Sequence, residues 1–515
     1  MCRRQLLISA PAAAISWLWV GTFLVATAGG IARADEAPAP EQVSYHRDIK
    51  PIFQTHCHGC HQPAKPGGSF VMTAFDALVK GGESETAAIV ASKPEESYLL
   101  DQITPADGAA TMPKDKPPLS AVEIEKITSW IRQGAVDDTP AGADVRYDAE
   151  HPPQYTSLPI ITSLEFSPDG SLLAVSGNNE VLLHTADGSA LAGRLIGMSE
   201  RIESAVFSPD GKRLAVVGGS PARVGEVQIW DVESRALRLS VPVLHDTIYG
   251  ASWSPDGKYI AFGCPDNSVR AIDAETGAQA LLQRAPNDWT LGTVFSVDGS
   301  HIVSVGRDMA VKLIEFKTQR FVDNITSITP GALRGGITAI DRHPQRDEIL
   351  VGGDDGMPRI YRMFRKNART IGDDSNCIQR FPAMPGRIFA AAFSPDGNRI
   401  ACGSSLDRTG QVYVYSCAYN SELPEAISAI EAKTDNSRSA DEKAALLKHF
   451  ESGIAIVAKL EGQGGAVYAV AFSPDGKTIT SAGFDGRVRL NDPETGKLIK
   501  EFIPVPLQEK TAQAN

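Results

Sequence analysis

An aromatic residue followed by Ser-Pro-Asp-Gly returns along most of this chain. FSPDG stands at Phe166–Gly170, Phe207–Gly211, Phe393–Gly397 and Phe472–Gly476, WSPDG at Trp253–Gly257 and FSVDG at Phe295–Gly299. A worn copy surrounds Pro344. Ser, Pro and Gly at the first, second and fourth positions suit a type I turn. Each turn precedes an alternating strand such as "SLLAVSG" or "KRLAVVG", and a second strand such as "VQIWDV" or "VYVYSC" follows. Counted at positions 166, 207, 253, 295, 342, 393 and 472, the steps are 41, 46, 42, 47, 51 and 79. A period near 40–45 with four strands per repeat is one blade of a β-propeller. The long last step holds no extra blade. Residues 421–453 are rich in Ala, Glu and Lys, and Ser439-Ala440-Asp441-Glu442 is a capping box. Ala444, Leu447 and Phe450 then share one face, and Gly453 stops the helix. The expectation is an all-β seven-bladed propeller over 155–505, with a helical insertion at about 419–454 in blade six and a tail at 506–515.

Upstream of the repeats the chain differs. At 515 residues it exceeds what one core usually holds. Residues 1–34 contain Arg3, Arg4 and Arg33 and no acid, an apolar run extends from Leu6 through Val25, and Ala32-Arg33-Ala34 precedes Asp35. That is the pattern of a secretory signal peptide, or of a membrane anchor if it stays uncleaved. Either way the remainder is expected to be periplasmic or otherwise exported, with no membrane span once the signal is cut. Net charge is −12, and −15 without those three arginines, which argues against a nucleic-acid partner. Cys264, Cys377, Cys402 and Cys417 are scattered and read as buried unpaired thiols.

Cys57 and Cys60 stand apart. Cys57-His58-Gly59-Cys60-His61 fits C-x-x-C-H, the attachment pattern of c-type haem. Two thiols at this spacing match two vinyl groups on one porphyrin edge, and the next residue aims an imidazole at the iron as proximal ligand. A zinc site would need a second ligand pair nearby, and none follows. A redox dithiol would sit in a βαβ unit, which the flanks do not resemble. His56 and His58 lie too near the turn to reach the opposite face of a haem and read as solvated. For the second axial position the best candidate is Met112, in the Pro-rich loop Thr111–Pro118. Met72, in "GSFVMTAF", reads as an apolar residue covering the haem.

Helical patterns flank the motif. Ile49, Ile52 and Phe53 precede it at helical spacing, with Pro51 suited to a first turn. Ser120-Ala121-Val122-Glu123 is a second capping box, followed by Ile124, Ile127, Trp130 and Ile131 on one face and Gly134 as stop. A small all-α domain over 43–138 follows, then a Pro- and Gly-containing linker over 139–154.

"YHRDIKPIFQTHCHGCHQPAKPGG", "KGGESETAAIVASKPEESYLL" and "MPKDKPPLSAVEIEKITSWIRQGA" resemble, in order, the planctomycete-type cytochrome c domain. The resemblance implies one covalent haem c on Cys57 and Cys60, with His61 as proximal and Met112 as distal ligand. "GGSFVMTAF" departs from the family's leucine-rich pattern at that point. The later repeats are similar to WD repeats, although only Ile229-Trp230-Asp231 keeps a Trp-Asp pair. By that similarity His245 sits between blades and braces neighbouring strands. Together these features point to an electron carrier or binding protein rather than an enzyme. Its partners would be a redox protein at the haem and a protein ligand on the propeller. A redox enzyme with a second cofactor or substrate site on the propeller is the alternative.

Overall fold

The computed structural model describes residues 42–508 apart from 59, 63–64, 85, 107, 115, 140–146, 222, 328–332, 367, 369–373 and 419–422. The segments read as a signal, 1–34, and as the end of the tail, 509–515, lie outside the described residues. No helix among the described residues is long and apolar enough to cross a membrane.

The first helical run begins before the place where Pro51 alone would start it. Ser44 caps it, its Oγ accepting the Arg47 N–H at 3.0 Å, and a wide π-helical turn, Tyr45–Ile49, leads into α1, Lys50–His56. The Ile49 N–H bonds to Ser44 O, five residues back, at 3.2 Å. Proline lacks an N–H and its ring crowds the carbonyl four residues earlier, so the wider turn just before Pro51 relieves both demands. Two short helices follow, α2 (Phe75–Lys80) and α3 (Tyr98–Ile103). The last, α4 (Ala121–Arg132), carries the expected capping box, with both reciprocal bonds between Ser120 and Glu123 present.

Trp130 of α4 joins these elements. Its ring stacks on Tyr45 at 5.3 Å and meets Phe53 and Phe75 edge-on at 6.4 and 6.2 Å. Its indole N–H is satisfied by Val136 O at 3.0 Å. Ile49, Ile52, Met72, Leu78, Ile127 and Ile131 are buried around it.

Beyond residue 147, the strands among the described residues group into seven four-stranded antiparallel blades. Five are separate sheets, and two share the long strand Leu191–Phe207. The first half of that strand pairs with Asn178–Thr185 of blade one, and the second half with Arg213–Ser220 of blade two. The innermost strands pack in a closed circle: Leu164–Phe166, the end of Leu191–Phe207, Tyr249–Trp253, Thr290–Phe295, Ile337–Arg342, Arg387–Phe393, Val467–Phe472 and back to Leu164–Phe166. They enclose a channel of about 1170 Å³.

The repeated turn explains the ring. In each full copy the Ser hydroxyl donates to the Asp two residues on, at 2.5–2.7 Å, and the Gly N–H closes on the Ser carbonyl. The glycine φ lies near +70°, at Gly170 for example +71°, a region that a side chain resists. These turns also touch around the circle. A side chain at Gly211 would meet Pro168, one at Gly299 would meet Pro255, one at Gly476 would meet Pro395, and one at Gly170 would meet Pro474, joining blade seven to blade one. Blade four has Val297 in place of proline, and its N–H is taken by Asp347 of blade five at 2.7 Å.

Closure is completed by the ends of the propeller. Tyr155 pairs with Leu507 in parallel, and the Gln508 N–H donates to Tyr155 O at 2.9 Å. The Tyr155 hydroxyl donates to Glu180 Oε1 at 2.8 Å. Arg194 grips the same carboxylate through Nε at 2.6 Å and NH2 at 2.7 Å, and also donates to Pro153 O at 2.7 Å.

Two helices, α5 (Glu425–Glu431) and α6 (Ala440–Glu451), lie between Thr409–Ser416 and Ala455–Lys459, neighbouring strands of the sixth blade. Glu431 is buried and paired with Arg362 and Lys366 of blade five. Arg362 also lies over the Phe450 ring at 5.4 Å. The buried face of α6 differs from the expected one. Phe450 is buried and Leu446 packs beside it, whereas Leu447 is 46 % exposed and Ala444 is exposed. The helix turns toward the Arg362 side of blade five, so the stripe shifts by one residue.

Candidate haem site

The attachment motif follows α1 directly. The Cys57 N–H bonds to Phe53 O at 2.9 Å, while the Cys60 and His61 N–H groups both bond to Cys57 O, at 3.1 and 3.0 Å. One tight turn therefore carries both thiols and the imidazole. Both cysteines are free thiols, Cys60 exposed and Cys57 half-buried. Burial pushes the Cys57 thiol up to about 12. Met112 is half-buried and packs on the same core as Cys57, and its N–H is tied to Gln102 O at the end of α3 at 2.8 Å.

His61 is held from the other side. Its carbonyl accepts the Met72 N–H at 2.8 Å, its ring meets Phe70 edge-on at 5.3 Å, and Gly67 lies against it. A side chain at Gly67 would come within 3.1 Å of Cys60 O and 3.6 Å of His61 Cε1. Nδ1 of His61 is buried with no hydrogen-bond partner among the described residues. A buried imidazole nitrogen without a partner is unusual. Two free thiols, an under-satisfied imidazole and a nearby thioether loop make a donor set that fits a c-type haem. Cys57 and Cys60 would hold the porphyrin edge, with His61 and Met112 as its axial pair.

Other expectations at this site are corrected. His58 is buried, only 4 % exposed, not solvated. The turn folds it inward, its N–H bonding to Phe53 O at 2.9 Å. His56 is half-buried and its Nε2 donates to Glu123 Oε1 at 3.1 Å. Met72, 1 % exposed, packs in the core that Cys57 and Met112 also touch, an apolar position as expected.

On the propeller, His245 lies between blades two and three, as expected, but its contact is with the haem-domain side rather than with neighbouring strands. It is exposed, and its ring meets Thr55 of α1, Nδ1 at 3.0 Å and Nε2 at 3.2 Å from Oγ1. Bracing inside blade two is done by Glu226, which sequence reasoning missed. Its buried carboxylate accepts from Ser199 Oγ at 2.6 Å, Gln228 Nε2 at 2.7 Å and Ser240 Oγ at 2.7 Å. Gln228 in turn accepts the Trp230 indole N–H at 3.0 Å. An acid inside the apolar alternation "VGEVQIWD" was the available signal. In the channel, Glu165 of blade one accepts the Phe207 N–H of blade two at 2.5 Å, and Asp341 of blade five accepts the Phe393 N–H of blade six at 2.7 Å. Burial pushes Glu165 up to about 8 and Asp341 to about 6.

Comparison with known proteins agrees with this order of domains. Residues 57–116 match the planctomycete cytochrome C family. Residues 153–184, 239–273, 375–420 and 455–492 match the WD domain, G-beta repeat. Relatives include actin-interacting protein 1 of Drosophila melanogaster, 31 % identical over 147 residues, covering 26 % of this chain and 23 % of the relative. Coronin-7 of Mus musculus is 30 % identical over 111 residues, 21 % of this chain and 12 % of the relative. Transcription initiation factor TFIID subunit 5 of Caenorhabditis elegans is 22 % identical over 311 residues, 59 % of this chain and 42 % of the relative. The chain thus spans between 12 % and 42 % of the length of these relatives. In its order of domains, the chain carries a planctomycete-type cytochrome c domain followed by a WD-repeat β-propeller.

Proposed function

We propose that this chain is an exported electron-transfer protein. It holds one haem on Cys57 and Cys60 with His61 and Met112 as axial ligands, and its propeller is a docking platform for a protein partner. The observation that carries the reading is the single turn bearing both free thiols and His61, with Met112 packed on the same core as Cys57. When bound, the haem supplies one-electron exchange, and a Met/His pair favours a higher potential than two histidines. The protein's part is to position and to exclude water. The turn spaces the thiols, Phe70 and Gly67 fix the His61 ring, and the core around Trp130 keeps the inner face dry. The apolar leader and the family match at 57–116 support export, since c-type haem attachment takes place outside the cytoplasm. Acidified-solvent extraction of denatured protein tests the reading. Colour should stay with wild-type chain and be absent from the Cys57→Ala/Cys60→Ala variant. Colour that leaves with the solvent would end the covalent assignment.

A further inference from the structure

Three successive residues at the end of α1 face three different structures. Thr55 meets the propeller, His56 meets α4, and Cys57 begins the attachment turn. We propose that the Thr55–His245 and His56–Glu123 contacts are positioning ties, through which blade two and α4 together fix the orientation of the Cys57–His61 turn. The proposal rests on the reading of that turn as a haem site, and it makes His245 of the propeller part of the haem domain's support.

The two ties differ in kind. The Thr55 hydroxyl donates to Pro51 O at 2.8 Å, and the His245 ring lies against its oxygen, with the two nitrogens 3.0 and 3.2 Å away. His56 Nε2 donates to Glu123 Oε1 at 3.1 Å. The other carboxylate oxygen of Glu123 accepts from Ser120 N at 2.8 Å and Ser120 Oγ at 2.7 Å. Burial raises the Glu123 pKa, but the hydrogen bonds from Ser120 and His56 outweigh it and leave the carboxyl below its ordinary value. This acceptor is therefore a charged group already fixed to the start of α4. The helix α1 ends at His56, and the last turn of a helix is held mainly by its tertiary contacts. Rotation of that turn would swing Cys57, Cys60 and His61 together, because their backbone bonds run from Phe53 and Cys57. Side chains that orient a ligand from outside the metal's own shell carry large effects at metal sites.

The test separates positioning from stability. Ser439→Ala removes the capping hydroxyl of α6, which bonds Glu442 and touches neither tie. Thr55→Val and His245→Ala remove one tie, and Glu123→Ala removes the other. Thr55→Ser, His245→Gln and His56→Gln keep a hydrogen-bonding group in each place. The readout on the full haem-loaded chain is the affinity of the ferric form for added imidazole, with melting temperature measured alongside. Thr55→Val, His245→Ala and Glu123→Ala should raise imidazole affinity on the order of 10-fold. The three conservative variants should stay near wild type, and Ser439→Ala should lower only the melting temperature. If Glu123→Ala does not fold, Thr55→Val and His245→Ala decide the matter. Wild-type imidazole affinity in both, or an equal rise in Ser439→Ala, overturns the proposal. Wild-type protein without covalent haem overturns the haem reading itself, a separate outcome.

Discussion

Glu180→Ala should loosen the closure of the propeller. Glu180 is fully buried, and its carboxylate is shared by the Arg194 guanidinium and the Tyr155 hydroxyl. Through Tyr155 it holds the pairing with Leu507 and Gln508, and through Arg194 it holds Pro153. Removing one partner of a buried pair typically costs about 3–5 kcal/mol, because the other charge is left without compensation. The Arg194 side chain is 17 % exposed, which lets water reach it and puts the effect near 3 kcal/mol, a rough value within that range. At ~2 °C per kcal/mol for a large domain, melting should fall by about 6 °C. Circular dichroism on the full chain measures it. The double variant Glu180→Leu/Arg194→Met should recover much of the loss, since replacing both charges removes the desolvation cost. A melting temperature for Glu180→Ala within about 1 °C of wild type, on that same conversion, would refute the clasp. A double variant less stable than the single would refute the electrostatic reasoning behind it.

Two further outcomes follow from other sites. Met112→Ala should lower the reduction potential and open the iron to carbon monoxide, as expected on losing a thioether ligand; an unchanged potential in redox titration would assign the position to another residue. For Glu165, burial raises the folded pKa to about 8. The folded state therefore binds more protons than the unfolded state between the ordinary carboxyl range and about pH 8, and stability falls as pH rises through that window. Glu165→Gln keeps an acceptor for the Phe207 N–H, so its melting temperature should decline less over this range. A slope equal to that of wild type would contradict the argument.

Much of this architecture is legible in the chain because its signals are local. The Ser-Pro-Asp-Gly copies fix their own hydrogen bonds within five residues, and Ser120 and Ser439 cap their helices with partners three residues away. The thiol–thiol–imidazole turn is equally local. What was not legible depends on contacts between distant segments. Tyr155 and Glu180 are 25 residues apart, Thr55 and His245 are 190 apart, and nothing in either neighbourhood marks the pairing. His58 looked solvated because a polar turn usually is, but this turn folds back on Phe53 and buries it. The face of α6 shifted because Arg362 and Glu431, in different blades, decide which side meets the propeller. Pro51 marked a helix start by its chemistry, whereas the π-helical turn at Tyr45–Ile49 let the chain begin coiling earlier.

Intact-mass spectrometry of the chain purified from a host that attaches c-type haem tests the central claim most directly. The expected result is a mass gain of one haem, retained after denaturation and mapped to the peptide carrying Cys57, Cys60 and His61. A chain of unmodified mass, or a haem lost on unfolding, would contradict it.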